Sequence, residues 1–225
     1  MTAFIFDLDG TLVDSVYQHV SAWQKVFSEA GFHVPVWKLH RKIGMTGDLM
    51  VKTLASEYDW RLDEPTSARM ELRHAEEMRR LMETVRPLEG AQALLRTLSD
   101  ARVDYAIATS GDLKDVRPLL DMLQLDKNVP VISKEDTSAT KPDPQPLLVA
   151  AKRLKKSSEQ TMVVGDSVWD MLAARRAHFL GIGFLTGGYG AEELAQAGAY
   201  RVYADPAEMR KRLYETGVHI SDGKR

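Results

Sequence analysis

The chain has 225 residues, 44% of them hydrophobic, and its 30 Lys and Arg against 32 Asp and Glu leave a net charge of −2, so no basic excess indicates a nucleic-acid partner. It has no cysteine, which excludes disulfide bonds, thiolate catalysis and cysteine-ligated metal. The chain has no apolar run of about 18 residues, so no membrane span is predicted. The N-terminus lacks the basic region of a signal peptide, and a soluble cytoplasmic protein is therefore expected.

Short apolar runs alternate with amphipathic helical patterns along most of the chain. The predicted strands, in chain order, are Ala3–Phe6, Asp104–Ala108, Val129–Ile132, Thr161–Val164, Gly181–Leu185 and a weaker one at Tyr200–Tyr203. The helices predicted between them are Ala91–Ala101, Leu113–Leu123, Gln145–Leu154 and Val168–Ala177. Near-continuously apolar strands that alternate with helices are typical of a parallel sheet covered on both faces. We therefore predict an α/β fold with a Rossmann-like core.

One region interrupts this alternation. Helical patterns over Val16–Ala30, Asp48–Tyr58 and Thr66–Thr84 follow one another without a clear strand. An insertion of roughly 70 residues is too long for a loop and predicts a small all-helical second domain. The expected division is residues 1–15 and 86–225 for the α/β core and residues 16–85 for this insertion, called the cap below.

Four polar segments follow predicted strands. They are Asp7-Leu8-Asp9-Gly10-Thr11, Thr109-Ser110-Gly111, Lys141-Pro142-Asp143-Pro144 and Gly165-Asp166-Ser167. Each segment alone is more often a turn or a helix cap. Because parallel sheets place ligand sites at the carboxyl ends of their strands, four such segments in this order predict a functional site at that edge.

The aspartates of these segments predict a metal. Asp7, Asp9 and Asp166 would repel one another if they met at one edge of the sheet. A hard divalent cation removes that repulsion, and Mg²⁺ commonly binds through a few carboxylates together with a substrate phosphate. Asp170, one helical turn after Asp166, can hold a metal-bound water or orient Asp166. The expected cofactor is therefore Mg²⁺.

The same residues suit phosphoryl transfer. Asp7 and Asp9 are two positions apart, so on a regular strand they face the same side. One carboxylate can attack phosphorus and form an aspartyl-phosphate, while the other protonates the leaving oxygen and later deprotonates water. The donors expected to bind the phosphoryl oxygens are the Thr109 hydroxyl, the backbone N–H groups of Ser110 and Gly111, and the Lys141 ammonium.

The sequence resembles the haloacid dehalogenase superfamily of phosphohydrolases. These four segments correspond to the motifs of that superfamily, and the resemblance covers almost the whole chain. The resemblance implies Asp7 as nucleophile and Asp9 as general acid and base. It also implies that Asp7, the backbone carbonyl of Asp9, and Asp166 hold Mg²⁺, with Asp170 beside them. The expected function is a Mg²⁺-dependent phosphatase that hydrolyses a small phosphomonoester, of the phosphoglycolate or sugar-phosphate type, through an aspartyl-phosphate.

The cap resembles that of the phosphoglycolate phosphatase and β-phosphoglucomutase branch, because Asp14–Trp23 is similar to its first cap helix. Mutases of this branch carry a histidine at the position of His19. They also carry a glutamate where this chain has Gly165, usually a bulkier aliphatic residue in place of Thr11, and an arginine that grips a second phosphate in place of Gly47. These departures favour a phosphatase over a β-phosphoglucomutase-like isomerase.

Two further alternatives are less consistent with the motifs. Dehalogenases of the superfamily typically replace the aspartate that corresponds to Asp9, which is present here. A non-catalytic interaction protein with this fold is expected to lose at least one motif residue, and none is lost. A small phosphorylated metabolite is thus the expected partner, with no nucleic acid and no membrane; a monomer is expected, with a dimer left open.

The cap is expected to select the leaving group, and four of its residues are candidates for contact with the substrate: His19, Arg41, Lys42 and Thr46. Arg41 and Lys42 suit a second anionic group, or equally a solvated basic helix end. His19 can relay a proton, although a lone histidine on a helix more often only packs or faces solvent.

Overall fold

Six parallel strands form the central sheet of the structure, a computed structural model that describes residues 2–218. The strands of this range are β1 Ala3–Phe6, β2 Val13–Asp14, β3 Arg86–Pro87, β4 Tyr105–Ala108, β5 Val131–Ile132, β6 Thr161–Gly165, β7 Leu180–Phe184 and β8 Ala199–Tyr203. The sheet has the order β5-β4-β1-β6-β7-β8, with every neighbouring pair parallel. β1 therefore lies inside the sheet, and the segment that follows it emerges at the middle of the carboxyl edge.

Helices cover both faces of this sheet. Those of the described range are α1 Val16–Glu29, α2 Val36–His40, α3 Gly47–Glu57, α4 Glu64–Leu81, α5 Ala91–Asp100, α6 Leu113–Met122, α7 Gln145–Leu154, α8 Val168–Arg176, α9 Ala191–Ala197 and α10 Pro206–Lys211. Phe4 and Phe6 of β1 belong to the buried cluster that includes α5 and α6, whereas Ile5 belongs to the cluster of α7 and α8. Alternate residues of one strand thus enter two cores, which is why the strand is apolar throughout. The predicted α/β fold with a parallel sheet is confirmed.

Several short elements were not predicted. They are α2, α9, α10 and the antiparallel pair of β2 with β3, in which Val13 pairs with Pro87 and Asp14 with Arg86. Each of these helices spans two turns or fewer, which is too short for a helical period to be read from the sequence. Across residues 2–218, none of the helices combines the length and the apolarity that a membrane span requires.

The cap has a hydrophobic cluster of its own. Trp23 and Phe27 of α1, Leu39 of α2, Leu54 of α3 and Met70 of α4 are buried together in it. The β2–β3 pair joins the chain just before the cap to the chain just after it. The division at residues 15 and 86 remains our proposal, and the separate cluster and this pairing support it.

Candidate active site

The four polar segments meet at the carboxyl edge of the sheet. Asp7 follows β1, Thr109 follows β4, Lys141 lies between β5 and α7, and Asp166 follows β6. All four side chains are buried. The Asp7 N–H donates to the Val164 carbonyl at 2.9 Å, so the ladder of the sheet continues one residue past the strand. This backbone bond sets the direction of the Asp7 side chain.

Three carboxylates cluster at this edge. One oxygen each from Asp7, Asp166 and Asp170 lies within 4.8 Å of the other two, and all three residues are buried. Burial raises the pKa of Asp7 to about 7, although the charge of Lys141 opposes the shift. Burial, and then the charges of Asp170 and Asp7, raise the pKa of Asp166 well above its ordinary value. An all-oxygen donor set with excess negative charge fits a hard divalent cation, so these residues can hold a metal.

Asp166 lies in a cradle that only glycine permits. Gly10 has φ +81°, and a Cβ there would overlap the Asp166 carboxylate. A Cβ at Gly187 would overlap the same carboxylate from another side. The Thr11 hydroxyl donates to Asp166 Oδ1 at 2.6 Å. The two glycines and this hydroxyl thus fix a carboxylate that could serve as a metal ligand.

Lys141 links the acidic residues. Its Nζ forms an ion pair with Asp7 Oδ1, lies 2.7 Å from Asp170 Oδ1 and donates to the Ala108 carbonyl at 3.2 Å. Burial would lower the pKa of Lys141, but the charges of Asp170 and Asp7 raise it above its ordinary value. Asp170 is held in turn by the Ser167 hydroxyl, which donates to its Oδ2 at 2.6 Å. The Lys141 side chain is therefore a fixed ammonium beside Asp7.

The carboxylate of Asp9 lies outside this cluster and faces the cap. Its Oδ1 accepts a 2.6 Å hydrogen bond from the Ser15 hydroxyl and lies 3.2 Å from His19 Nε2. Burial alone would raise the pKa of Asp9, but His19 and the Ser15 hydrogen bond outweigh it, so the pKa lies below its ordinary value. The predicted metal set used the backbone carbonyl of Asp9, which leaves its carboxylate free for another task.

A second histidine, which the sequence did not single out, lies beside His19. His19 Nδ1 is 3.0 Å from Nε2 of His74 on α4. The His74 ring stacks on Trp23, with centroids 4.3 Å apart and planes 13° apart. Burial, and then the charge of His19, lower the pKa of His74 well below its ordinary value, which keeps the ring neutral. His19 is therefore hydrogen-bonded on both ring nitrogens, between Asp9 and His74.

A cavity of about 150 Å³ opens between the cap and the core, here called the cap–core cavity. Of the residues predicted from the sequence, Asp7, Asp9, His19, Ser110 and Gly111 line it. Thr109 and Lys141 are buried beside it: the Gly111 N–H donates to Thr109 Oγ1 at 3.2 Å, and Lys141 contacts Asp7. The cavity therefore ends at the residues expected to receive a phosphoryl group.

Three of the predicted substrate contacts have other partners. Arg41 pairs with Glu193 and lies over the Tyr189 ring, 4.1 Å from its centroid. Lys42 pairs with Glu57. Thr46 is buried at the start of α3, with its hydroxyl 3.3 Å from that of Thr140. None of the three is among the described residues that line the cap–core cavity: Arg41 reaches α9, Lys42 reaches α3 and Thr46 reaches Thr140 instead.

The glycine loop that precedes α3 contacts the core directly. The Ser110 hydroxyl donates to the Gly44 carbonyl at 3.1 Å. A Cβ at Gly47 would lie 3.0 Å from both the Trp23 ring and the Glu71 side chain. An arginine at position 47 would therefore have to displace these neighbours, which agrees with the departure from the mutases noted in the sequence.

Comparisons with known proteins identify the family of the chain. The sequence profile of the haloacid dehalogenase-like hydrolase family matches residues 4–183. A hydrolase from Pseudomonas syringae is 42% identical, with a TM-score of 0.91 over 96% of this chain and 99% of that one. The β-phosphoglucomutase from Clostridium difficile has a TM-score of 0.83 over 96% of each chain, but at 20% identity it is similar in fold alone. A phosphoglycolate phosphatase from Agrobacterium fabrum is 30% identical over 94% of this chain and 91% of its own length. The chain therefore belongs to the haloacid dehalogenase-like hydrolase family, and the prediction of a hydrolase of this kind is confirmed.

Proposed function

We propose that the protein is a Mg²⁺-dependent phosphatase that hydrolyses a small phosphomonoester through an aspartyl-phosphate on Asp7. One observation carries the proposal: Asp7 belongs to a buried carboxylate cluster that fits a divalent cation, pairs with the Lys141 ammonium and lies at the end of a cavity. The Agrobacterium relative is named for a small phosphate ester, which supports the same class of substrate.

Mg²⁺ would be held by Asp7, the backbone carbonyl of Asp9, and Asp166, with Asp170 beside them. When bound, it supplies positive charge that offsets the charge of the phosphoryl group and favours the carboxylate form of Asp7. Lys141 supplies a second positive charge beside Asp7. Thr109 and the N–H groups of Ser110 and Gly111 would donate to the phosphoryl oxygens.

The reaction takes two displacements at phosphorus. In the first, a carboxylate oxygen of Asp7 bonds to phosphorus, the ester P–O bond breaks, and the departing alkoxide takes a proton from Asp9. In the second, Asp9 removes a proton from water, the water oxygen bonds to phosphorus, and the bond to Asp7 breaks. The products are the alcohol and inorganic phosphate, with Asp7 regenerated.

His19 is proposed to act through Asp9. As a general acid Asp9 must carry a proton in the first step, yet its pKa is lowered by His19 and Ser15 in spite of burial. The hydrogen bond between His19 Nε2 and Asp9 Oδ1 offers a short path by which a proton on the imidazole can reach that carboxylate. His74 fixes the orientation of His19 through the other ring nitrogen.

Hydrolysis is favoured over isomerisation. A mutase must hold the second phosphate of a bisphosphate intermediate, and the space at Gly47 is bordered by Trp23 and Glu71, which supply no cation. Water is therefore expected to complete the reaction each time.

The test is a panel of phosphate esters with purified protein and Mg²⁺, beginning with phosphoglycolate and sugar phosphates, with inorganic phosphate measured. Release of phosphate without an isomerised product is the expected result. The contrary result would be steady formation of glucose 6-phosphate from β-glucose 1-phosphate and a trace of the bisphosphate, with little free phosphate. That result would show that the protein is a mutase and not a phosphatase. Failure to turn over any ester would favour a non-catalytic protein of this fold.

A further inference from the structure

The walls of the cap–core cavity away from Asp7 are mainly apolar. Met45, Met50, Met78 and Met82 line it, together with Val116 and Leu119 of α6. Apolar side chains thus come from both the cap and the core. Methionine is flexible and polarizable, so it adapts to apolar and aromatic ligands of varied shape.

The charged groups of the same walls would repel an anion. Lys134 Nζ lies 2.8 Å from Glu71 Oε2, so this ammonium already has a partner across the cleft between core and cap. Asp112 and Asp115 line the cavity as well, and Arg79, which does not line it, has its Nε 3.8 Å from Asp115 Oδ1. Among the described residues that line it, other than Asp7 and Asp9, three carboxylates therefore face one ammonium. Among these described lining residues a further carboxylate brought in by the substrate would find no free cation, because Lys134 is paired with Glu71 and the His19 imidazole is held by Asp9.

The size of the cavity suits a small leaving group. An apolar cavity of about 150 Å³ can hold benzene, and the cap–core cavity has about this volume. Part of the space lies beside Asp7 and Asp9, where the phosphoryl group would be. The inner part of this space therefore suits a leaving group about as large as a benzene ring, and a larger group would extend into the open mouth of the cavity.

From these three observations we infer that the substrate is a phosphomonoester with an uncharged, largely apolar leaving group of this size. The inference rests on the proposed function, since it takes the phosphoryl group to lie beside Asp7. It sets this chain apart from enzymes that act on phosphoglycolate, whose leaving group carries a carboxylate. Sugar phosphates fit only where their hydroxyl groups reach Glu71, Asp112 or Asp115, because hydroxyl groups that lie against methionine side chains lose their hydrogen bonds to water.

A matched set of esters tests the charge. Pentyl phosphate, 4-phosphooxybutanamide and 4-phosphooxybutanoate have leaving alcohols of similar length that end in a methyl group, a neutral amide and a carboxylate. We expect kcat/KM to fall in that order, with the carboxylate at least about tenfold below the amide. From methyl to pentyl phosphate, each added methylene should raise kcat/KM about fourfold until the cavity is full.

Two variants test whether the pairing of Glu71 with Lys134 causes the discrimination against the carboxylate ester. Glu71→Gln keeps the shape of the side chain and leaves the Lys134 ammonium without its partner, so the ratio of kcat/KM for the carboxylate over the amide should rise roughly fivefold. Adding Lys134→Gln to Glu71→Gln removes the ammonium and should abolish that rise. Circular dichroism and thermal unfolding of each variant identify any that fails to fold, and the wild-type comparison of the esters does not depend on them.

The outcomes separate the two proposals. A carboxylate ester hydrolysed as fast as its amide, or rates that do not change with chain length, would overturn the inference. Efficient hydrolysis of phosphoglycolate with poor hydrolysis of pentyl phosphate would also overturn it, while the proposed phosphatase would stand. If no ester at all releases phosphate, the proposed function fails and the inference fails with it.

Discussion

The sheet edge and the cap hold their functional side chains in different ways. At the sheet edge, Asp7, Asp166 and Lys141 are buried, with Asp7 paired to Lys141 and Asp166 bonded to Thr11. In the cap, His19 and His74 are held by a hydrogen bond to each other and by aromatic stacking between helices, and His19 makes a second hydrogen bond to Asp9 of the core. Under the proposed function the two regions divide the work: the buried edge performs the chemistry, while the cap helices select the leaving group and assist Asp9. Variants on the two sides should therefore differ in the size and the kind of their effects.

The largest expected effect is at the sheet edge, from Asp7→Asn. An amide cannot attack phosphorus, so kcat should fall by at least about 10⁴-fold. The fold should persist, because burial already opposes the charge on Asp7. Phosphate release and thermal unfolding are the measurements, and Asp121→Asn, an exposed carboxylate paired with Arg117 on α6, is the control. More than a few per cent of residual activity would show that Asp7 is not the nucleophile.

Removal of the metal is the next test of the edge. Mg²⁺ would bind the folded protein and offset the buried charges, so it should raise the melting temperature. At a hundredfold excess over Kd, the free energy of unfolding should increase by about 2.7 kcal/mol. Asp166→Asn removes a ligand and should weaken this binding at least about tenfold. Thermal unfolding in EDTA and across a Mg²⁺ titration measures both. An identical shift in wild type and variant would remove Asp166 from the metal site.

In the cap, His19→Gln should lower kcat by roughly tenfold to a hundredfold, which is less than the loss expected for Asp7→Asn. The reason is that Asp9 remains in place and only its proton supply is impaired. If His19 works through Asp9, the double variant with Asp9→Asn should be no slower than Asp9→Asn alone. Multiplied losses in that cycle would mean that His19 contributes independently of Asp9.

The smallest effect concerns the pH dependence of stability, through His74. Burial and then His19 lower its pKa in the folded protein below the unfolded value of 6.5, while Asp9 opposes the shift. The unfolded chain therefore binds the proton first. The stability from neutral His74 is complete above pH 6.5 and is lost as the pH falls, by up to about 1.4 kcal/mol per unit.

Urea unfolding at pH 7.5, 6.5 and 5.5 measures this loss. His74→Gln cannot gain the charge, so its free energy of unfolding should fall less than that of wild type over the same steps. Parallel curves for the two proteins would show that His74 is protonated as readily in the folded state as in the unfolded chain.

The sheet edge was predictable because its signals are local. The four-residue apolar run of β1 and the polar residues directly after it stand together in the sequence, and the rule for parallel sheets brings the other strand ends to the same edge. The bounds of β1 agree with the prediction, Ala3–Phe6 in both. The pairing of Lys141 with Asp7 also follows from topology, since both residues belong to polar segments that the parallel sheet brings to its carboxyl edge.

The cap side depended on packing that no local pattern carries. His19 and His74 are 55 positions apart and meet only through the packing of α1 on α4, and Arg41 and Glu193 are 152 apart. The sequence offered Arg41 and Lys42 as basic residues near a loop. The cavity instead contains Lys134, from the chain after β5. The cation that faces the cleft is set by how the cap packs on the core. The residue periodicity within the cap or within the core does not encode that packing.

The indole of Trp169 gives the molecule an optical consequence. Trp169 is on α8 of the core, and its Nε1 donates to the Arg41 carbonyl of the cap at 3.1 Å. The sequence has four tryptophans, and the other three lie in the cap. If the cap swings away from the core, this hydrogen bond must break and the indole N–H must turn to water, which shifts tryptophan emission to longer wavelength. The protein therefore carries its own fluorescent reporter of opening, readable in stopped-flow experiments without any attached dye.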